Sequence, residues 1–202
     1  MLKDRFRKFL PVVVDLETGG FDAQKNAILE IAIQLIDFKD GRIILGDSHR
    51  YHINPPPELK VNQDSLDFLK LDLNHPLRVA VDELSAIKEC FKIINIHRTK
   101  YECSRAILVG HNAFFDHSFL LAACERHSIK KSPFHPFSLI DTVSLGVLAT
   151  KQTVLAKVCK ELGIAYDNNE AHSAAYDAKV TAEVFCLVVN LFDSPEVLKI
   201  DT

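Results

Sequence analysis

Leu10-Pro11-Val12-Val13-Val14-Asp15-Leu16-Glu17-Thr18-Gly19-Gly20-Phe21 is the stretch on which the fold turns. Its first half is apolar and β-branched, the composition of a central strand buried on both faces. The run ends in two acids followed by a glycine-rich turn. Residues two apart on a strand point to the same face, so Asp15 and Glu17 can converge on one point. Ligand sites of α/β sheets collect beyond the carboxyl ends of strands, which is where this pair falls.

Residues 28–38 (ILEIAIQLIDF) and 42–53 read as two further strands joined by a turn at Lys39-Asp40-Gly41. Glu30 is unusual inside such an apolar strand, and the pattern offers no reason for it. Pro55-Pro56-Pro57 stops the sheet and opens an irregular stretch. Residues 80–97 have helical spacing, with Leu84, Ile87, Phe91 and Ile94 on one stripe. A short strand at 106–109 precedes a helix at 115–127 that turns Phe119, Leu120 and Ala123 inward. Leu139 and Ile140 suggest a last short strand, and helices are expected at 143–149, 153–162 and 173–192. A strand meander followed by alternating strands and helices predicts an α/β domain with a mixed sheet.

The chain has 202 residues, 48% hydrophobic and 25% charged, which fits one domain and excludes a disordered chain. A single domain over residues 1–202 is expected, with a short basic arm at about residues 1–9. The sequence holds no run of 18 apolar residues, and its start lacks a signal-peptide core with a small-residue cleavage site, so a cytoplasmic protein without membrane partners is expected. Five widely spread cysteines without a CxxC pair read as free buried thiols. The net charge of −3 excludes a uniformly basic nucleic-acid binder but not a local basic patch.

Three further segments carry chemistry. Asp116 follows the strand at 106–109 in the first turn of a helix, where the macrodipole also favours an acid. In Ala171-His172-Ser173-Ala174-Ala175-Tyr176-Asp177, five residues rotate a helix by about 500°, so His172 and Asp177 cannot share one stripe. His172 is therefore expected on the loop or first turn, with Asp177 facing the sheet. Each element alone is common in structural roles. Hard cations such as Mg²⁺ and Mn²⁺ take oxygen ligands, which paired carboxylates supply.

Taken as a set, D-x-E-T, then N-x-x-F-D about a hundred residues on, then H-x-x-x-x-D opening a late helix resembles the DEDDh 3′→5′ exonucleases. The resemblance implies an RNase H-like fold, a mixed five-stranded sheet flanked by helices. It implies a site of two divalent cations, Mg²⁺ or Mn²⁺, held by Asp15, Glu17, Asp116 and Asp177, with His172 as general base. Two such ions about 3.5–4 Å apart assist in-line phosphoryl displacement, and an imidazole can take up a proton near neutral pH. The implied product is a nucleoside 5′-monophosphate.

Within that superfamily, DRFR (4–7), PVVVDLETGGF (11–21), AILVGHNAFFDHSF (106–119), SPFHPF (132–137), QTVLAKVC (152–159) and AHSAAYD (171–177) resemble the ribonuclease T family across most of the chain. The family trims 3′ overhangs of structured RNAs, in tRNA end turnover and in maturation of 5S and 23S rRNA. It also acts on single-stranded DNA 3′ ends. Its stacking phenylalanines correspond to Phe21, Phe68, Phe115 and Phe137. Thirteen phenylalanines and no tryptophan mean that many rings must be core. Asp64 stands where the family has a Glu that contacts a base edge, one methylene shorter, which puts the family's reluctance toward 3′ cytidines in doubt here. Arg5, Arg7, Arg105 and Lys130 match its phosphate-gripping positions; at another, Thr99 stands, with Lys100 adjacent as a substitute. The family is a homodimer in which one subunit's basic patch grips the substrate cut by the other.

The same chemistry would serve an oligoribonuclease or a DNA proofreading subunit, against which DRFR and SPFHPF argue. A non-catalytic nucleic-acid-binding module would be expected to have lost a carboxylate, and all four are present.

Overall fold

The computed structural model of the chain describes residues 2–192. The single-domain expectation also covers residues 1 and 193–202, which lie outside the described residues. The apolar run at 9–18 becomes β1 (Phe9–Thr18), which pairs antiparallel with β2 (Ile28–Lys39), and β2 in turn with β3 (Arg42–Asn54). The short strand β4 (Ala80–Asp82) runs parallel to β3 at one edge. β5 (Arg105–Gly110) lies parallel to β1, and β6 (Phe134–Asp141) parallel to β5 at the other edge. The sheet order is β4-β3-β2-β1-β5-β6, which puts β1 in the interior, as its composition requires.

The helices are α1 (Leu2–Arg5), α2 (Gln63–Leu69), α3 (Glu83–Lys100), α4 (Ala113–Arg126), α5 (Thr142–Thr150), α6 (Leu155–Leu162) and α7 (Ala174–Phe192). The sheet thus has six strands rather than five. The extra one, β4, occupies residues expected to open a helix. Asp82 caps α3 instead, its carboxylate accepting the Ser85 N–H at 2.9 Å, which leaves residues 80–82 extended against residues 52–54. Three residues are too few to show a strand period. α2 lies in the stretch read as irregular; it is seven residues long and buries none of them, so it carries no amphipathic signal. β6 is longer than Leu139 and Ile140 suggested because an edge strand tolerates Pro136.

On α3, Ile87, Phe91 and Ile94 are buried as their spacing predicts, but Leu84 is only half-buried. Glu83 takes the buried position beside it. Arg126 donates to its carboxylate through Nε at 3.0 Å and through a terminal nitrogen at 2.9 Å, and His127 Nε2 lies 2.7 Å away. Phe119, Leu120 and Ala123 of α4 are core. The first residues are packed down: Leu2 is fully buried, and the Phe6 ring lies 5.9 Å from that of Phe185. Val184, Phe185, Val188 and Val189 of α7 are buried in the core, whereas Leu191 near its end is 49% exposed. All five cysteines are free and buried.

Candidate active site

Alternation along β1 buries Leu16 and turns Asp15 and Glu17 to the opposite face, where both stay partly exposed. α7 brings the carboxylate of Asp177 to the same place from its first turn. Oxygens of Asp15, Glu17 and Asp177 lie within 4.8 Å of one another. Asp116, buried at the start of α4, stands beside this trio rather than in it, and its Oδ1 accepts the Leu16 N–H at 2.9 Å. Three of the four expected ligands therefore converge, and the fourth braces the strand that carries two of them.

Such crowding is unfavourable without a counter-charge. Burial, then the carboxylates of Asp116, Glu17 and Asp177, push the Asp15 carboxyl well above the usual range. Glu17 rises to about 8 through burial and the charges of Asp177, Glu30 and Asp116. Asp116 also rises to about 8, chiefly through burial. Burial raises Asp177 as well, opposed by its hydrogen bond from the His172 backbone and by the two imidazoles of His172 and His111. Its Oδ1 is buried without a hydrogen-bond partner. Acids pushed together, with an orphaned oxygen among them, are the donor set that hard divalent cations occupy, and a bound cation would reverse these shifts.

His172 stands on the loop just before α7, in the left-handed region at φ 67°. Its N–H donates to Asp177 Oδ2 at 2.9 Å, and its exposed ring lies 4.3 Å from the Phe68 ring. The loop-and-helix division expected from the five-residue spacing is thus the one observed.

A cleft of about 240 Å³ opens against Glu17, lined also by Gly20, Phe21, Asp64, Phe68 and Phe115. Phe21 is 91% and Phe68 62% exposed, whereas Phe115 is half-buried against Phe119 at 4.9 Å. Gly20 makes the Phe21 turn possible: its φ is 156°, and a Cβ there would lie 2.5 Å from the Asn26 side chain. Phe137 does not line this cleft; it sits 80% exposed on β6 beside His135, with ring centroids 4.5 Å apart.

The basic residues gather elsewhere. Arg105 and Lys130 line a hollow of about 270 Å³ that also includes Lys131 and His135. The parallel register sets Phe9 against Arg105, and the Ser104 N–H donates to Lys8 O at 2.7 Å, which brings the segment of Arg5 and Arg7 to the same end of the sheet. Six residues of β1 separate this end from Asp15, about 20 Å at about 3.3 Å per residue. Lys100, beside Thr99, is exposed and has its Nζ 2.8 Å from Asp37 Oδ1. Asp37 was not singled out in the sequence, and no local pattern pairs it with Lys100.

Asp141 is a second residue that sequence reasoning passed over. Its carboxylate accepts the N–H groups of Asn112 at 3.2 Å, Ala113 at 2.9 Å and Val143 at 2.8 Å, fixing the start of the helix that carries Phe115 and Asp116. The available signal was its position as an acid directly before an apolar helix. Glu30, unexplained by its strand, lies opposite Glu17 in the β1–β2 register.

The fold and the acid cluster together define a nuclease-type centre, and comparison places it: the family described as Exonuclease matches residues 12–185, and the chain belongs to that family. The chain is 48% identical over 190 residues to ribonuclease T of Wigglesworthia glossinidia brevipalpis, covering 94% of this chain and 88% of that protein. It is also 48% identical over 191 residues to ribonuclease T of Vibrio cholerae serotype O1, with 94% and 85% covered. Among solved structures it resembles E. coli exonuclease I in complex with a dT13 oligonucleotide, at a TM-score of 0.68 and 16% identity. That match covers 92% of this chain but 43% of the other, so the chain spans less than half of exonuclease I. The likeness shows the fold: the sheet and its flanking helices are of the RNase H-like exonuclease type. Among the described residues no helix is long and apolar enough to cross a membrane.

Proposed function

We propose that this protein is a cytoplasmic 3′→5′ exoribonuclease that trims the 3′ overhangs of structured RNAs such as tRNAs and rRNA precursors, and also acts on single-stranded DNA 3′ ends. The observation that carries this reading is the convergence of Asp15, Glu17 and Asp177 oxygens within 4.8 Å, beside a cleft walled by Phe21, Phe68 and Phe115. Asp15, Glu17 and Asp177, with Asp116 braced against β1, would hold two divalent cations, Mg²⁺ in the first instance and Mn²⁺ as a substitute. When bound, such ions lower the pKa of the attacking water and stabilise the leaving 3′ oxygen of an in-line displacement.

The chain's own groups supply the rest. His172, on the rim of the cleft, takes the proton of the attacking water. Phe21, Phe68 and Phe115 receive the terminal bases, each stack being worth about 1–3 kcal/mol without demanding a sequence. Phe137, farther out, meets the strand before it enters. Asp64 faces the bound base from α2. Arg5, Arg7, Arg105 and Lys130 grip phosphates, and their distance from Asp15 along β1 favours a homodimer in which they serve the partner's cleft.

A 5′-labelled hairpin RNA with a 3′ overhang tests the whole reading. A ladder of products shortened stepwise from the 3′ end in Mg²⁺, and abolished by EDTA, is expected. Cleavage that persists in EDTA, or begins internally, would overturn it.

A further inference from the structure

A row of polar side chains crosses the sheet beneath the acid cluster. Glu17 of β1 lies directly opposite Glu30 of β2, and Glu30 directly opposite His52 of β3. Opposed residues of antiparallel strands share a face, with Cβ atoms about 4.5–5.5 Å apart, so the row leads from the cleft into the sheet. Arg78 lies at its far end, toward the sheet edge, one terminal nitrogen donating to Leu29 O at 3.1 Å and to Ile53 O at 2.6 Å.

β2 has no packing need for this acid: from Ile28 to Ile36 the only other polar residue is Gln34. The Glu30 side chain is 7% exposed, yet its bonding is incomplete. Its Oε2 lies 3.2 Å from His52 Nδ1, without the alignment of a hydrogen bond, and its Oε1 has no partner. Five buried side-chain atoms among the described residues lack partners. Three of them, on Glu30, His52 and Arg78, belong to this row, and a fourth, Asp177 Oδ1, belongs to the cluster it leads to. Buried polar atoms left unpaired are costly, and such exceptions gather where a function keeps them.

We propose that Glu30 is a positioning residue of the cation centre: set beside His52 and opposite Glu17, it strengthens divalent-cation binding at Glu17 from the side away from substrate. It adds an acidic group directly opposite Glu17, and its unpaired oxygen is free to anchor the cation's hydration shell or to steady the Glu17 carboxylate. Groups that support metal ligands in this way commonly change metal affinity by about 10–100-fold when replaced. The proposal rests on the cation-binding reading of Asp15, Glu17 and Asp177.

The test is calorimetric titration of the full chain with Mn²⁺ alone, together with melting of the cation-free protein. Glu30→Gln keeps the shape and removes the charge. Mn²⁺ affinity at least tenfold weaker than wild type is expected, with the cation-free melting temperature unchanged or higher because one of two facing acids has been removed. His52→Gln, which loosens Glu30 without touching its charge, is expected to weaken Mn²⁺ binding by a smaller factor; it also stands as the test should Glu30→Gln fail to fold. Wild-type affinity in the variants that fold would overturn the proposal, as would a lowered cation-free melting temperature with unchanged affinity, the signature of a purely structural ion pair. A wild-type protein that binds no Mn²⁺ would sink the cation reading itself, and this inference with it.

Discussion

The backbone N–H of His172 donates to Asp177 Oδ2 at 2.9 Å, so a carboxylate of the acid cluster also holds the loop that carries the proposed general base. Asp177 thereby sets two things with one side chain, the charge at the cluster and the place of the imidazole. The hydrogen bond needs a carbonyl-type acceptor, which an amide retains, whereas cation binding needs the charge. Asp177→Asn is expected to abolish trimming while leaving RNA affinity within about threefold of wild type, since the basic residues lie at the other end of β1. Trimming assays and filter binding on the same RNA decide it. Wild-type turnover would remove Asp177 from the centre.

His172→Ala is expected to lower kcat by about 10²–10⁴, the usual range for a positioned base. KM should change little. Single-turnover rates on a short overhang measure the chemical step, and a loss under about threefold would mean that His172 does not carry the proton.

Phe68 touches His172 with ring centroids 4.3 Å apart, so a base entering the cleft must share or replace that contact. Phe68→Ala should weaken binding of an oligonucleotide 3′ end by roughly 5–150-fold, the equivalent of one stack of about 1–3 kcal/mol. Fluorescence titration with a catalytically silent Asp15→Asn background reads the affinity directly. No change would place the terminal base elsewhere.

Replacing Arg5 and Arg7 with Ala should raise KM most for long RNA and at higher salt. The slope of log affinity against log salt should shrink by about 0.7 for each single-strand phosphate that these side chains no longer neutralise. An unchanged slope would mean that these side chains do not meet phosphate.

The acid cluster also fixes a pH dependence. Glu17 and Asp116 ionise near 8 when folded and cation-free, but near 4 when unfolded. Between those values the folded protein holds protons that the unfolded chain has released, so stability falls as pH rises from about 4 to about 8. The cation-free melting temperature should therefore drop across that window on account of these groups. Added Mg²⁺ should restore it most at the alkaline end. Melting curves at pH 5, 7 and 8.5, with and without Mg²⁺, read both effects. A cation effect that is largest at pH 5 would contradict the arrangement.

Much of this was legible in the chain itself. Continuous apolar residues gave β1, and helical spacing gave the buried faces of α3 and α4. The order of Asp15, Glu17, Asp116, His172 and Asp177 carried the likeness to exonucleases. These features are local. Periodicity, turn chemistry and the order of motifs are properties of neighbouring residues, and they survive being read one segment at a time.

Only the tertiary structure decided which side chains meet. The register of β2 on β1 and of β3 on β2 set Glu30 between Glu17 and His52, a relation between residues that no spacing encodes. Packing placed Asp116 against the Leu16 N–H rather than in the trio, drew Lys100 onto Asp37, and left Phe137 outside the cleft. The three-residue strand β4 formed because β3 lies alongside it, and the seven-residue α2, which buries none of its residues, ends in a left-handed backbone cap at Lys70 that no periodicity announced. Such contacts join stretches far apart in the chain, and their geometry exists only once the sheet has closed.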